Sequence, residues 1–338
     1  MTLTPPVLNW TKKTNGEDIQ TFTDASELIH SGACEAVIIA VPHYLHPSMA
    51  IEAMETGLHV IVEKPAGVYT KQVEKMNAVA AKHPELVYCM DFNQRTNPLY
   101  KKVKDLIDSG DLGEMTRVIW IVTDWYRSQS YYDQGGWRAT WDGEGGGVLL
   151  NQNPHNLDLW QWMCGIPKRV KSQVYYGKHR NIEVEDDLYA LVEYENGATG
   201  CYITTVGDAP GTNRLEIDGT NGKIVVENNE LTFYRLRIPE PEFNATYKGG
   251  LGKPEVWECK IPIKGTYTSH PGIINNFCDC ILKGAKPIAP GAEGIRGLQI
   301  SNAIHLSSWL NGEWVNIPVD GELFLEKLQE HCKEPVTK

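Results

Sequence analysis

Apolar positions in the first third of the chain come in short bursts separated by amphipathic stretches. "CEAVIIAVP" (34–42), "LHVIVEKP" (58–65) and "LVYCMDF" (86–92) are short apolar runs and read as buried strands. Between them the period changes to that of a helix. Met49, Ala50, Ala53 and Met54 share one face with Gly57 as the stop, and Val73, Met76 and Ala80 mark a helix beginning at Thr70. Asn97-Pro98 opens another helix, with Leu99, Val103, Leu106 and Ile107 inward and an end near Gly110. Upstream, Asp24 and Glu27 fit a capping box for a short helix through Leu28 and Ile29, closed by Gly32. Short apolar strands alternating with helices predict a parallel sheet with helices on both faces.

After residue 113 the period becomes that of long strands joined by tight turns. "MTRVIWIVTDWY", "RVKSQVYYG", "DLYALVEYENGATGCYITTV", "NRLEIDGTNGKIVVE" and "LTFYRLRI" follow one another, with hairpin signals at Asn196-Gly197 and Asn221-Gly222. This predicts an antiparallel sheet with a helix inserted near 150–164 and late helices at 271–283, 291–311 and 321–332. The expected fold class is α/β: a parallel-sheet domain (1–113), an α/β domain with a large, mostly antiparallel sheet (114–320), and a C-terminal helix and tail (321–338).

The length, 338 residues, leaves room for two cores, and 22% charged with 41% hydrophobic residues is ordinary globular composition. A net charge of −11 argues against a nucleic-acid or anionic-membrane surface. The longest apolar run, Ala36–Pro42, is far short of a membrane span, and no charged-then-apolar leader suggests secretion. The eight cysteines are scattered, which suggests reduced thiols in a cytoplasmic compartment. Cys278 and Cys280 form a C-x-C with no second Cys/His pair nearby, so no metal site is predicted.

Candidate chemistry sits at the strand ends, because ligands of parallel α/β sheets bind outside the carboxyl ends of the strands. These ends are Val41-Pro42-His43, Glu63-Lys64-Pro65 and Asn93-Gln94-Arg95. Alternation puts Glu63 and Lys64 on opposite faces. Pro65 restricts Lys64 to an extended conformation, with a Lys-Pro bond that could be cis. Lys64 is therefore expected to point into the crevice. A second constellation is "GEGGGVLLNQNPHNLDLWQWMCG" (143–165). There Asn151, His155, Asp158 and Trp162 share one face if the segment is a single helix. Alternatively Pro154 is the first helical residue, Asn153 the cap, and Asn151 lies on the incoming turn. A helical His with Asp three residues on is more often a structural pair. Six of the ten tryptophans fall between 120 and 162, interleaved with Tyr126, Tyr131 and Tyr132. Packing and an oligomer interface compete there with a site for a polyhydroxylated ring, whose apolar faces suit aromatic side chains.

"AVPHYLHPSMAIEAMETGLHVIVEKPAG", "DFNQRTNPLYKKVKDLIDSGDLGEM" and "WRATWDGEGGGVLLNQNPHNLDLWQWMCG" closely resemble the Gfo/Idh/MocA oxidoreductases, with their E-K-P and G-G-G…H-x-x-D signatures. The resemblance spans about residues 20 to 315. It implies a Rossmann domain binding NAD or NADP, an open-sheet domain, a sugar, cyclitol or glycoside substrate, and homo-oligomers packed through that sheet. It puts Lys64 beside the reacting hydroxyl and makes His155 the acid/base. Pro42, His43, His46, Glu63, Lys64, Asn93, Trp137 and Arg138 would line the cofactor. Arg95, Tyr126, Trp141, Asn151 and Asp158 would contact substrate or, for Asn151 and Asp158, support His155. The chemistry asks for such groups: hydride leaves a carbinol carbon as its oxygen loses a proton, so a base and a nearby cation are needed.

Two departures qualify this. The family usually has Asp four residues before the His, where this chain has Asn151. An amide can orient His155 without raising its pKa, leaving it neutral and competent as a base. The family also opens with strand, G-x-G-x-x-G and helix, and no G-x-G-x-x-G occurs anywhere in this sequence. The expectation is an incomplete Rossmann domain, with cofactor binding weakened or lost. The alternative function is a non-catalytic sugar- or partner-binding member of the same fold.

Overall fold

The computed structural model describes residues 20–333. Its first part holds α1 (Ala25–His30), β1 (Ala36–Ile39), α2 (His46–Glu55), β2 (His59–Val62), α3 (Thr70–Ala80), β3 (Tyr88–Met90) and α4 (Pro98–Asp108). The three strands form one parallel sheet in the order β1-β2-β3. The predicted caps form: Asp24 Oδ1 accepts from Glu27 N at 3.1 Å, and Asn97 Oδ1 accepts from Leu99 N at 3.0 Å ahead of Pro98. Apolar positions face inward as the period requires, with Ala50, Ala53, Met54, Val73, Met76 and Val103 all buried. Among the described residues β1 is an edge strand, and Ile38 on it is 50% exposed.

The second part begins with β4 (Met115–Val122), α5 (Gln129–Tyr132), α6 (Pro154–Cys164), β5 (Arg169–Tyr176), β6 (Glu185–Glu193), β7 (Thr199–Thr205), β8 (Asn213–Gly219), β9 (Gly222–Glu227) and β10 (Glu230–Leu236). It continues through α7 (Glu240–Thr246), β11 (Val256–Ile261), α8 (Ser269–Lys283), α9 (Gly294–Trp309), β12 (Val315–Asn316) and α10 (Gly321–Lys333). Nine strands form one sheet, ordered β11-β10-β9-β8-β4-β7-β6-β5-β12. The sheet is antiparallel except at its centre, where β7 returns beside β4 and runs parallel to it. One face is covered by α6 and α9, with Trp120, Trp160 and Tyr202 buried between. The other face is open. Leu191, Cys201 and Ile119 lie in register across it, and Leu191 is 49% exposed.

The two parts share structure. The backbone of Ala289 accepts from Met90 N at 3.0 Å, and an isolated antiparallel bridge joins Cys89 to Pro290 beside the parallel sheet. Asn302 on α9 accepts from Thr70 N and donates to Val68 O, tying α9 to the start of α3. The C-terminal helix α10 is also bound into this body. Phe324 packs on Trp309, and His331 lies against Trp141 and Trp309. The cysteines are free thiols, with Cys278 exposed and Cys280 buried on α8. Among the described residues no helix is long and apolar enough to cross a membrane.

Candidate active site

The strand ends and the turn before α6 form one crevice. Lys64 follows β2 through a cis Lys64–Pro65 bond, and its Nζ donates to the backbone oxygen of Asn151 at 2.8 Å. Glu63 turns away, its Oε2 accepting from the Lys64 amide at 3.2 Å. Lys64 thus crosses from the parallel sheet to the turn that leads into His155. Burial lowers its pKa; Glu63 and Glu144 oppose that shift, while Arg138 and Arg127 add to it. Such an ammonium gives up its proton more readily than an exposed lysine.

Pro154 is the first residue of α6, so His155 projects from the first turn and Asn151 lies on the incoming turn. Asn153 occupies the cap position but makes no cap bond; its Nδ2 donates to Thr204 Oγ1 at 2.6 Å and its buried Oδ1 has no partner. Burial first, then the charges of Lys64 and His270, lower the His155 pKa to about 3. The ring is neutral at neutral pH, and its Nδ1 has no hydrogen-bond partner.

The Asn151 side chain does not orient His155. Its Nδ2 donates to Glu144 Oε1, while Glu144 Oε2 accepts from Ala139 N at 2.7 Å. A second carboxylate near Lys64, after Glu63, comes from Glu144, 1% exposed and 3.9 Å from Arg138 Nη1. The glycine run explains how the turn is held. Glu185, fully buried on β6, accepts from Gly147 N at 2.8 Å and Leu149 N at 2.9 Å. A Cβ on Gly147 would lie 2.1 Å from the Glu185 carbonyl oxygen, so only glycine allows this approach.

Several expected contacts are displaced by packing. Asp158 and Arg95 do not reach the crevice: each is 1% exposed, and Arg95 Nε and Nη2 donate to the two Asp158 oxygens at 2.8 and 2.6 Å. Arg95 Nη1 also donates to Glu293 at 2.6 Å, so the pair is a buried ionic tie rather than a substrate contact or a support for His155. Trp141, 1% exposed, packs among Tyr176, His305, Trp309 and His331 and is also withdrawn from substrate. His46 is likewise enclosed, with Nδ1 2.7 Å from Pro65 O and Nε2 2.8 Å from Val41 O. It holds the two strand-end turns together, leaving no atom for a cofactor.

The remaining predicted residues keep partners of their own. Pro42 begins the turn after β1, and His43 follows, its Nδ1 3.1 Å from Glu144 O. Burial leads in lowering the His43 pKa to about 3. Trp137 meets His43 edge-on at 5.9 Å, and the Arg138 guanidinium lies 4.8 Å from the Trp137 ring. Tyr126 is 49% exposed and carries Arg180 over its ring at 5.0 Å. Asn93 donates to His270 Nε2 at 2.8 Å. Sequence reasoning missed Arg127, Glu144, Asp91 and His270. Glu144 lay within the quoted glycine motif and carried a signal as its only carboxylate before Asn151; His270 carried none, being far along the chain.

A dinucleotide can be tested against these groups. The flat wall of Trp137 with Arg138, and Lys64 opposite Glu63, fit the nicotinamide end. A phosphate cradle of the glycine-loop type is not found among the described residues. In the turns after β1, β2 and β3 the glycine is Gly67, whose added Cβ would meet Gln72 at 2.6 Å and Val73 at 2.8 Å, so it serves packing.

Residues 10–90 match the model described as an oxidoreductase family with an NAD-binding Rossmann fold, and residues 100–225 match the GFO/IDH/MocA C-terminal domain. A Comamonas testosteroni protein, 1-carboxy-3-chloro-3,4-dihydroxycyclohexa-1,5-diene dehydrogenase, is 30% identical over 80% of this chain and 67% of its own length. The chain belongs to the Gfo/Idh/MocA oxidoreductases. Levoglucosan dehydrogenase of Pseudarthrobacter phenanthrenivorans is 25% identical over 88% of this chain and 83% of its own. The WlbA dehydrogenase of Bordetella pertussis, solved with NADH and UDP-GlcNAcA, superposes with a TM-score of 0.78. It is 25% identical and covers 94% of this chain and 88% of its own. The parallel sheet followed by a large, mostly antiparallel sheet is the architecture of this family.

Proposed function

We propose that this chain oxidises a secondary hydroxyl of a sugar, cyclitol or glycoside, passing hydride to NAD or NADP, with Lys64 and His155 handling the proton. The observation that carries the reading is the Lys64 Nζ bond to Asn151 O, which draws an ammonium of lowered pKa to the turn leading into a neutral histidine. Pro42, His43, Glu63, Asn93, Trp137 and Arg138 line the nicotinamide side, and Tyr126 and the Asn151 turn face the substrate. A bound nicotinamide supplies the hydride acceptor. Lys64 stabilises the developing alkoxide and the His155 imidazole takes the hydroxyl proton. The relatives named for levoglucosan and for a chlorinated dihydroxy ring acid support a cyclic polyol as the substrate class. Half-exposed Leu191 and Tyr189 on the open sheet face support a homo-oligomer formed through it.

The test begins with fluorescence titration of NADH and NADPH against the purified chain. It proceeds to a screen of sugars, cyclitols and glycosides for nicotinamide reduction, with Lys64→Ala and His155→Ala as controls. Saturable binding, and turnover lost in both variants, is the expected result; turnover retained in both removes the site assignment. A second reading, a non-catalytic sugar-binding member of the family, is favoured by the described residues holding no glycine-loop phosphate cradle. Absence of saturable binding up to millimolar nucleotide would select it.

A further inference from the structure

Three potential metal ligands converge from separate elements. They are Glu63 after β2, Asp91 after β3 and His270 in the first turn of α8, with ligand atoms all within 4.8 Å of one another. His270 Nδ1 lies 3.0 Å from Asp91 Oδ2 and 3.8 Å from Glu63 Oε1. Two ligands of a tetrahedral ion at about 2.1 Å stand about 3.4 Å apart, so these separations bracket the metal-bound value.

A second observation points to a missing cation. Asp91 is 2% exposed, and its Oδ1 has no hydrogen-bond donor. Acceptors here outnumber donors, and two carboxylates share one imidazole. A buried carboxylate oxygen left unpaired is costly, and a divalent ion would compensate it. His270 is half exposed at its side chain, so the cluster is open to solvent on that side.

We propose that Glu63, Asp91 and His270 Nδ1 bind a divalent transition-metal ion, with the Asn93 amide turned so that its oxygen accepts from the His270 Nε2–H. One imidazole with two carboxylates suits zinc, cobalt or manganese better than magnesium or calcium, which take all-oxygen shells. Three protein ligands leave a fourth position for water or a ligand oxygen. No spacing signal marks this cluster, because the ligands lie 28 and 179 residues apart across three elements.

The test uses the full chain, stripped with EDTA and kept reduced, titrated with Co2+ while the visible d–d bands are followed and then displaced by Zn2+. The same titration is run on His270→Gln and Asp91→Asn, with folding checked by circular dichroism and thermal melting. The expected result is one saturable equivalent of Co2+ without the near-ultraviolet band of a thiolate ligand. Each variant should weaken affinity more than about tenfold. His270→Gln changes a half-exposed side chain, so it remains a fair test even if Asp91→Asn folds poorly. No saturable binding, a thiolate band from the cysteines, or unchanged affinity in folded His270→Gln would overturn the proposal. No nicotinamide enters this measurement, so its outcome is independent of the redox reading.

Discussion

Replacing Arg95 with Met should cost the fold far more than any surface change. Arg95 is 1% exposed and holds Asp158, also 1% exposed, through two bonds of 2.8 and 2.6 Å. With Met in place, Asp158 keeps only the Gln161 Nε2 donor at 2.9 Å and becomes a buried charge without a counter-ion. Glu293, 23% exposed at its side chain, can rehydrate, so the cost concentrates on Asp158. Breaking a buried pair in this way costs about 3–5 kcal/mol. At about 2–3 °C per kcal/mol for a large chain, that is a fall in Tm of about 6–15 °C. The double variant Arg95→Met/Asp158→Leu removes both charges and should recover most of the loss, because an apolar pair of similar volume is often as stable as the ion pair. Urea unfolding and differential scanning calorimetry of the wild type, both single variants and the double variant give the coupling energy directly. Losing less than about 1 kcal/mol in Arg95→Met, together with a raised KM at unchanged stability, would refute the buried-tie reading and restore Arg95 as a substrate ligand.

Further predictions follow from the site and the sheet. His43 and His155 titrate near 3 in the fold against 6.5 when free, so the unfolded chain binds protons that the native state refuses. Stability should be level above about pH 6.5 and fall as pH drops toward 3, by about 2 kcal/mol per histidine at pH 5, with His155→Asn flattening the slope in urea titrations. Glu144→Gln removes a charge that raises the Lys64 pKa, so the basic limb of the pH–rate profile should move to lower pH. An unmoved limb would exclude the Glu144–Lys64 coupling. Leu191→Lys on the open sheet face should shift the chain toward monomer in light scattering without changing its circular dichroism; an unchanged mass would exclude that face as the interface.

Much of the fold was legible because period and burial agree. The strand cores at 36–39, 59–62 and 88–90 lie inside the apolar runs, and Asp24 and Asn97 cap the helices that their spacing announces. Other features escaped that reading. The parallel β4–β7 pair arises from the order of strands in space, which alternation within one strand does not encode. β11 was missed although "WECKI" alternates apolar and polar residues; only Cys259 and Ile261 pack against the core, while Val256 and Trp257 are half exposed. In the site, the residue types were readable and their roles less so. Arg95, Trp141, Asp158 and His46 stand within the motifs that the resemblance assigns to ligands but turn into the protein, where partners from residues 65, 293 and 309 capture them. A partner that distant is invisible to any local pattern.

Position 151 shows how such long-range partners change the chemistry inferred. With Asn there in place of the family's usual Asp, the resemblance implies that a carboxylate is missing beside the histidine proposed as acid/base. In the fold the charge has moved rather than vanished: Asn151 Nδ2 is bound to Glu144, which is 1% exposed and acts on Lys64. The negative charge therefore serves the lysine, while His155 has a free Nδ1 and a pKa pushed down to about 3. In an Asp–His arrangement the carboxylate strengthens the imidazole as a base. Here the imidazole is weak, and the group whose pKa is brought toward neutrality from above is Lys64. On that argument stabilisation of the developing alkoxide by Lys64 contributes more than proton uptake by the weakly basic His155. Lys64→Ala should then lower kcat more than His155→Ala, whereas an equal or opposite ranking would return the leading role to the histidine.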